Sequence, residues 1–489
     1  MTKLTPEFRP SSVRRAVFAV TALGAFMASL DLSIVNVAFP ALARSFPTAN
    51  RAGLAWVITA YSIVFASLLV TAGRAADQLG RRRVFFIGLG IFTTGSVLCG
   101  LAPTLQLLVV GRVGQGAGAA LLLPASLGLL LEAFPGESRS QAVALWGGVG
   151  ALAVATGPSL GAALISSAGW RSAFFVNLPV GGIALVIGRR VLPACNGVVG
   201  RRVQSDFPGI LLITASLVGL VLAVSEGPEW GWSDPRVIGG AVGAFVLGAV
   251  FLRRCSRHAE PVLDLSLFRD RSFSVANAAT FVYAMGFFAM LLGNILFLTG
   301  VWHYSILRAG LSVTPGPLVV AAVSGPAGRL SARHGFRPVL VVGFAVFAAG
   351  LVWYATFVGI QPHYIARWLP ATLITGLGIG LTFPVLSAAA VSSLHTSRFA
   401  VGSAVNQTSR QVGGALGVAI LVAILATTTT AASGLQHFRH LWIFSAAMAL
   451  LAGGIVTLLR PLGVPQPEVF PAAAPATGAA VALRPEGHP

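Results

Sequence analysis

The chain has 489 residues, 55% of them hydrophobic and only 10% charged, with a mean hydropathy of +0.83. That balance excludes a soluble globular protein of this size. The formal net charge of +19 does not mark a nucleic-acid surface either, because the arginines stand in short clusters between apolar runs and not on one soluble face.

Apolar runs of about 18–25 residues recur along most of the sequence, and about 20 residues cross a bilayer core. The chain therefore reads as an all-α polytopic membrane protein, without the short alternating strands of a transmembrane barrel. In chain order, fourteen spans are predicted near 16–39, 53–73, 84–102, 106–131, 141–165, 173–192, 207–225, 236–252, 273–299, 310–330, 337–358, 366–391, 401–428 and 438–460. The first is long for a leader peptide and carries Asp31, so it is read as a retained helix. The divisions that follow are an N-terminus, 1–15; a six-helix half, 16–192; two extra helices with their linkers, 193–272; a second six-helix half, 273–460; and a disordered Ala/Pro-rich tail, 461–489.

With the N-terminus inside, 23 of the 33 Lys and Arg fall in inside segments and 7 in outside loops, while Arg74, Arg112 and Arg410 lie within spans. The positive-inside rule then places both termini in the cytoplasm, in an inner membrane. The second span runs into GRAADQLGRRR from Gly73, and the tenth into GRLSARHGFRP from Gly328. Gly73, Arg74 and Gly80 match Gly328, Arg329 and Gly335. Two related halves with an extra pair of helices between them form a transporter architecture, whose substrate site is expected between the halves near the midplane.

Charged residues inside such spans are costly and tend to be functional. Asp31, in LDLSIVNVAFP, lies about 12 Å from the outer end of span one, and Arg112 about 9 Å from that of span four, at 1.5 Å per residue. Their matched depths allow a switchable pair, with Gln115 on the same face as Arg112. Asp77 stands where span two meets the basic loop, near Arg74 and Arg81. Gly150, Ala153, Gly157 and Gly161 form a small-residue stripe on span five, and Pro158 can kink it. Arg410 lies deep in span thirteen with Asn406 one turn before it. Phe287, Phe288 and Asn294 in span nine are candidates to line a cavity for an apolar, partly polar compound. Glu132, Glu226 and Glu229 read as interfacial, and Trp230, Trp232 and Trp302 as aromatic-belt residues. Cys99, Cys195 and Cys255 have no metal or redox spacing, and no metal site is expected.

Taken with GRVGQGAGAA (from Gly111), GPSLGA (from Gly157), WRSAFFVNLPVG (from Trp170) and NQTSRQVGGALGVAI (from Asn406), the two motifs at Leu30 and Gly73 make the chain resemble the major facilitator superfamily, in its fourteen-helix drug:proton antiporter branch. The resemblance runs from about residue 16 to residue 460. Ala162 and Ser172 depart from the branch's usual residues and leave the substrate open. The resemblance implies proton-coupled export of hydrophobic or amphipathic small molecules, with the proton as coupling ion and no other cofactor. It also implies a cytoplasmic latch at Asp77, and a functional monomer in the lipid bilayer is expected. An exporter of an endogenous lipid, siderophore or metabolite is the alternative, and a facilitator or importer a weaker one. There is no Walker P-loop, no nucleophile elbow and no added sensory domain, so an ATP-driven pump, an enzyme and a receptor are set aside.

Overall fold

The computed structural model describes residues 11–134, 138–192, 206–258, 261–394, 398–426 and 431–459. Cys195, the side chain of Asp77 and the tail 461–489 lie outside the described residues. The helices are α1 (Ser11–Ser45), α2 (Arg51–Leu79), α3 (Arg81–Leu101), α4 (Leu105–Ala133), α5 (Ser138–Ala168), α6 (Ser172–Phe175), α7 (Asn177–Val191), α8 (Phe207–Trp230), α9 (Pro235–Cys255), α10 (Arg271–Gly300), α11 (Ile306–Val313), α12 (Pro315–His334), α13 (Phe336–Phe357), α14 (Leu369–Val391), α15 (Phe399–Leu425) and α16 (Ala431–Val456). Thirteen helical segments among the described residues are long and apolar enough to cross a bilayer. A fourteenth span is α5, whose parts Leu145–Val154 and Thr156–Ala168 meet at 43°. This agrees with the fourteen predicted spans.

The internal repeat has a structural counterpart. Gly80 and Gly335, at matched places in the two repeats, each join two helices across a single residue at φ +94° and +85°. A Cβ is strained at such angles, so glycine makes the sharp reversal possible. Both junctions lie at the end of the bundle that carries Arg81, Arg82 and Arg83, called here the arginine-rich end.

In the first half α1 packs on α4, α5 and α7, and α4 lies against α2 and α3. In the second, α10 packs on α14, α15 and α16, and α13 on α14 and α16. The halves meet where α2 lies along α15, and where α5 meets α11 and α12. The extra pair leans on this seam from outside: α8 packs against α2 and α15, burying Leu217 and Val221 beside Ile63, Leu416 and Ala419. Helix α9 packs chiefly on α8 and turns Ile238, Val242, Phe245 and Val246 outward, as a lipid-facing helix does. Asp206 ties the pair together at the arginine-rich end. It caps α8 by accepting from Gly209 N at 3.0 Å and accepts from Arg254 Nε at 2.5 Å. Burial pushes its carboxyl up, but the Arg254 and Gly209 hydrogen bonds and the Arg254 and His258 charges outweigh that and hold it below the usual carboxylate range.

Two expectations, for Trp302 and Glu226, need correction. Trp302 is not a belt residue: it is 5% exposed and packs with Phe297, Tyr304 and Trp368, its Nε1 donating to Gly359 O at 2.8 Å. Trp232 does lie at the rim, and Arg236 stacks over Trp230. Glu226 is buried, with Asn50 Nδ2 3.4 Å from its carboxylate, while Glu229 beside it is exposed. Glu132 forms an ion pair.

Candidate functional site

Asp31 and Arg112, placed at one depth by the sequence, meet inside the first half. Arg112 Nη1 donates to Asp31 Oδ2 at 2.5 Å, and both side chains are essentially sealed from solvent. Gln115, one turn along α4, accepts from Arg112 Nη1 at 2.8 Å. Its Nε2 donates to Asp31 Oδ1 at 3.1 Å and to Ser96 Oγ at 2.8 Å. Asn177, the first residue of α7, adds a donor to Asp31 Oδ1 at 3.3 Å and also reaches Ser96 Oγ at 3.2 Å. Arg112 Nε donates to Val57 O at 2.7 Å, and the Tyr61 ring lies 4.4 Å from Cζ, a cation–π distance. Among the described residues every partner of the carboxyl is a donor, an arrangement that suits a carboxylate. A buried pair survives desolvation only when its remaining hydrogen-bonding capacity is met in this way.

The GPSLGA segment lies directly over this site. A Cβ at Gly157 would sit 2.4 Å from Ser33 Cβ, and one at Gly161 would sit 3.1 Å from Ile34 Cγ1. The stripe is therefore the contact surface of α5 on the turn of α1 that carries Asp31. Pro158 has no N–H for the Val154 carbonyl four residues back. Ser33 Oγ takes that carbonyl instead, donating at 3.1 Å. The bend of α5 is thus tied to α1 two residues from Asp31. Another face of the same segment closes on the second half. A Cβ at Gly310 in α11 would fall 2.4 Å from Ala162 Cβ and 2.6 Å from Pro158 O. Arg51 at the start of α2 also donates to Leu425 O at the end of α15. The two halves are therefore shut against each other at the arginine-poor end.

At the arginine-rich end, Arg81 Nη1 donates to Glu132 Oε1 at 2.9 Å and to Gly128 O at 3.0 Å. Arg74 lies near Cys255 at the end of α9. The proposed companion Asp77 has its side chain outside the described residues.

In the second half, Phe287 and Phe288 stand edge to face at 5.2 Å, and Phe383 lies 4.8 Å from Phe287. Arg410 approaches Phe383, with Cζ 5.6 Å from the ring centre, and donates to Gln407 Oε1. The other two candidates are engaged by protein. Asn294 accepts from Trp442 Nε1 at 3.0 Å. Asn406 donates to Thr280 Oγ1 at 2.9 Å and to Asn277 Oδ1 at 3.3 Å.

Ser33, Tyr61, Ser96, Asn177, Gly310 and Phe383 were not anticipated. Asn177 was the most readable of them, as an amide inside the apolar NLPVG run. The others are ordinary small or aromatic residues whose neighbours no sequence signal specifies.

The sequence profile of the Major Facilitator Superfamily matches residues 21–417 and again 276–485. The chain is 35% identical over 413 residues to the multidrug resistance protein Stp of Mycobacterium tuberculosis (strain CDC 1551 / Oshkosh), covering 84% of this chain and 76% of that one. It is 30% identical over 451 residues to the methylenomycin A resistance protein of Streptomyces coelicolor (strain ATCC BAA-471 / A3(2) / M145), covering 92% and 91%. It is 32% identical over 409 residues to the tetracenomycin C resistance and export protein of Streptomyces glaucescens, covering 83% and 75%. A crystal structure of the nucleoside transporter NupG shares the fold, with a TM-score of 0.63 at 10% identity over 92% of this chain and 100% of that one. The many apolar helices, the fold and these relatives make the chain an integral multi-pass membrane protein that belongs to the major facilitator superfamily.

Proposed function

We propose that this chain is a proton-coupled antiporter that exports hydrophobic or amphipathic small molecules, antibiotics among them, by alternating access. The named activities of its relatives support export, and the arginine distribution supports cytoplasmic termini in the inner membrane. The observation that carries the proton reading is the sealed Asp31–Arg112 pair, the deepest ion pair among the described residues.

In this arrangement the arginine-poor end, the outer end in our reading, is closed and Asp31 accepts from three donors. Opening outward parts α5 from α1 and α11, breaks the Ser33–Val154 bond and lets water reach Asp31. Protonation then removes the charge that holds Arg112, Gln115 and Asn177 in place. The proton drives exchange only if the two states bind it with different affinity, and the donor set around Asp31 supplies that difference in one of them. Gly157, Pro158 and Gly161 form the outer gate. Arg74, Asp77 and Arg81 form the cytoplasmic latch, with Arg81 working through Glu132. Phe287, Phe288 and Arg410 face the substrate, while Asn294 and Asn406 brace the helices beside it. The protein works as a monomer with the proton as its only coupling partner.

The test is Asp31→Asn in proteoliposomes. Uphill export driven by an imposed proton gradient should be lost, while substrate counterflow without a gradient persists. Uphill export at the wild-type rate by the variant would sink the assignment of Asp31 as the coupling group.

A further inference from the structure

Two arginines lie at depth in this bundle, and they are held in opposite ways. Arg112 has a resident carboxylate. Arg410, near the middle of the 27-residue α15, has none. Among the described residues its side chain meets the Gln407 amide oxygen and the Phe383 ring, and no carboxylate pairs with it. It is also partly exposed, whereas Arg112 is sealed, so it borders interior space. A guanidinium at that depth is costly unless an anion or water compensates it.

Its neighbours on α15 extend the feature. Gln407, Arg410, Gln411 and Gly414 are spaced three, four and seven residues from the first, which puts them on one helix face. The Gln411 Nε2 donor is buried without a partner, a state that costs stability unless something accepts from it. Gly414 allows the Phe288 ring to close on the helix, since a Cβ there would sit 2.8 Å from it. Phe288, Phe287 and Phe383 then form a continuous aromatic wall beside the cation. A planar fork of donors, a spare amide donor and aromatic faces fit one kind of molecule.

We propose that Arg410 and Gln411 receive the carboxylate of an aromatic substrate whose rings lie against Phe287, Phe288 and Phe383. The proposal rests on the export reading and narrows it to anionic aromatic compounds. Carboxylate and guanidinium match in a bidentate geometry that a lysine cannot reproduce. The protein thus supplies the anion for one deep arginine and leaves the other for the substrate.

The experiment measures equilibrium binding of three ligands with one ring system to the full-length chain in zwitterionic nanodiscs, with empty nanodiscs subtracted: 2-naphthoate, its methyl ester and 2-naphthylmethylammonium. Naphthoate should bind about ten-fold more tightly than the other two, the ratio set by one charge-assisted hydrogen bond worth about 1.4 kcal/mol. Arg410→Gln should bring the three to parity, Arg410→Lys should keep part of the preference, and Gln411→Ala should weaken naphthoate alone. Decanoate should bind more weakly than naphthoate; equal binding would overturn the aromatic part and assign the arginine to a fatty-acid-like occupant. No charge preference in the wild type, or an undiminished one in Arg410→Gln, overturns the proposal. The wild-type ligand series decides the matter even if Arg410→Gln does not fold. Proton-driven flux of 2-naphthoate, net of protein-free liposomes, is measured separately. Flux without anion preference removes the site and leaves export standing, while anion-selective binding without proton-driven flux removes the export reading and leaves the site.

Discussion

Replacing Gly157 with alanine should force α5 away from α1 at the level of Asp31. The new Cβ would fall 2.4 Å from both Cβ and Oγ of Ser33, whereas carbon atoms settle at about 3.5–4.0 Å. The helices must part locally by about 1–1.5 Å to restore that separation. Such a shift carries the Ser33–Val154 hydrogen bond, now 3.1 Å, out of bonding range. Overpacking of this kind costs about 1–3 kcal/mol, and the lost bond adds about 1 kcal/mol. The Val154 carbonyl, to which Pro158 offers no N–H, would then lose its donor on α1. Thermal unfolding of the purified protein should therefore shift downward, and substrate-free proteoliposomes should dissipate a proton gradient faster than wild type. Ser33→Gly removes the clashing atoms. The double variant should therefore recover the packing share but not the hydrogen bond, which each single variant also loses, a coupling of about 2–4 kcal/mol between neighbouring sites. An alanine variant with wild-type melting and leak, or a double variant no better than the single one, would refute the claim that α5 seals Asp31 through this contact.

Gly80→Ala and Gly335→Ala should each lower thermal stability by about 1–3 kcal/mol, because both positions hold positive φ; equal melting of either variant and the wild type would remove the strain argument for that junction. Asp206 has a depressed carboxyl in the folded protein, so its contribution is present above the ordinary carboxylate value of about 3.9 and is lost as pH falls through the lower folded value. The wild type should thus lose stability in strong acid, and Asp206→Asn should flatten that part of the profile in a pH series of melting curves. The Arg81–Glu132 pair has side chains 29% and 35% exposed, so a double-mutant cycle on Arg81→Ala and Glu132→Ala should return only about 0.2–1 kcal/mol of coupling. A larger value would mean that the pair stores more energy than its solvent exposure allows.

What could be read from the residues alone was depth and periodicity along the membrane normal. The bilayer is a solvent of set thickness, so the length of each apolar run reports a span directly. Spans cross in one common frame, so counting residues from their ends placed Asp31 level with Arg112 before any packing was known. The matched glycines at 80 and 335 were legible for the same local reason, since a tight reversal between helices requires a particular backbone angle. Rotation about each helix axis was not legible. Lipid tails are as apolar as a protein core, so hydropathy does not say which side of a span faces protein. Hence Trp302 reads as a belt residue and is buried, and Asn177 reads as one more residue of a motif and binds the Asp31 carboxylate. Ser33, too, gives no sign that it will answer the carbonyl released by Pro158 on another helix. Arg410 shows both sides of the division. Its depth is written in the sequence, but whether a carboxylate would reach it depended on how α10, α14 and α15 turn toward one another. That choice is made by side-chain packing across helices far apart in the chain.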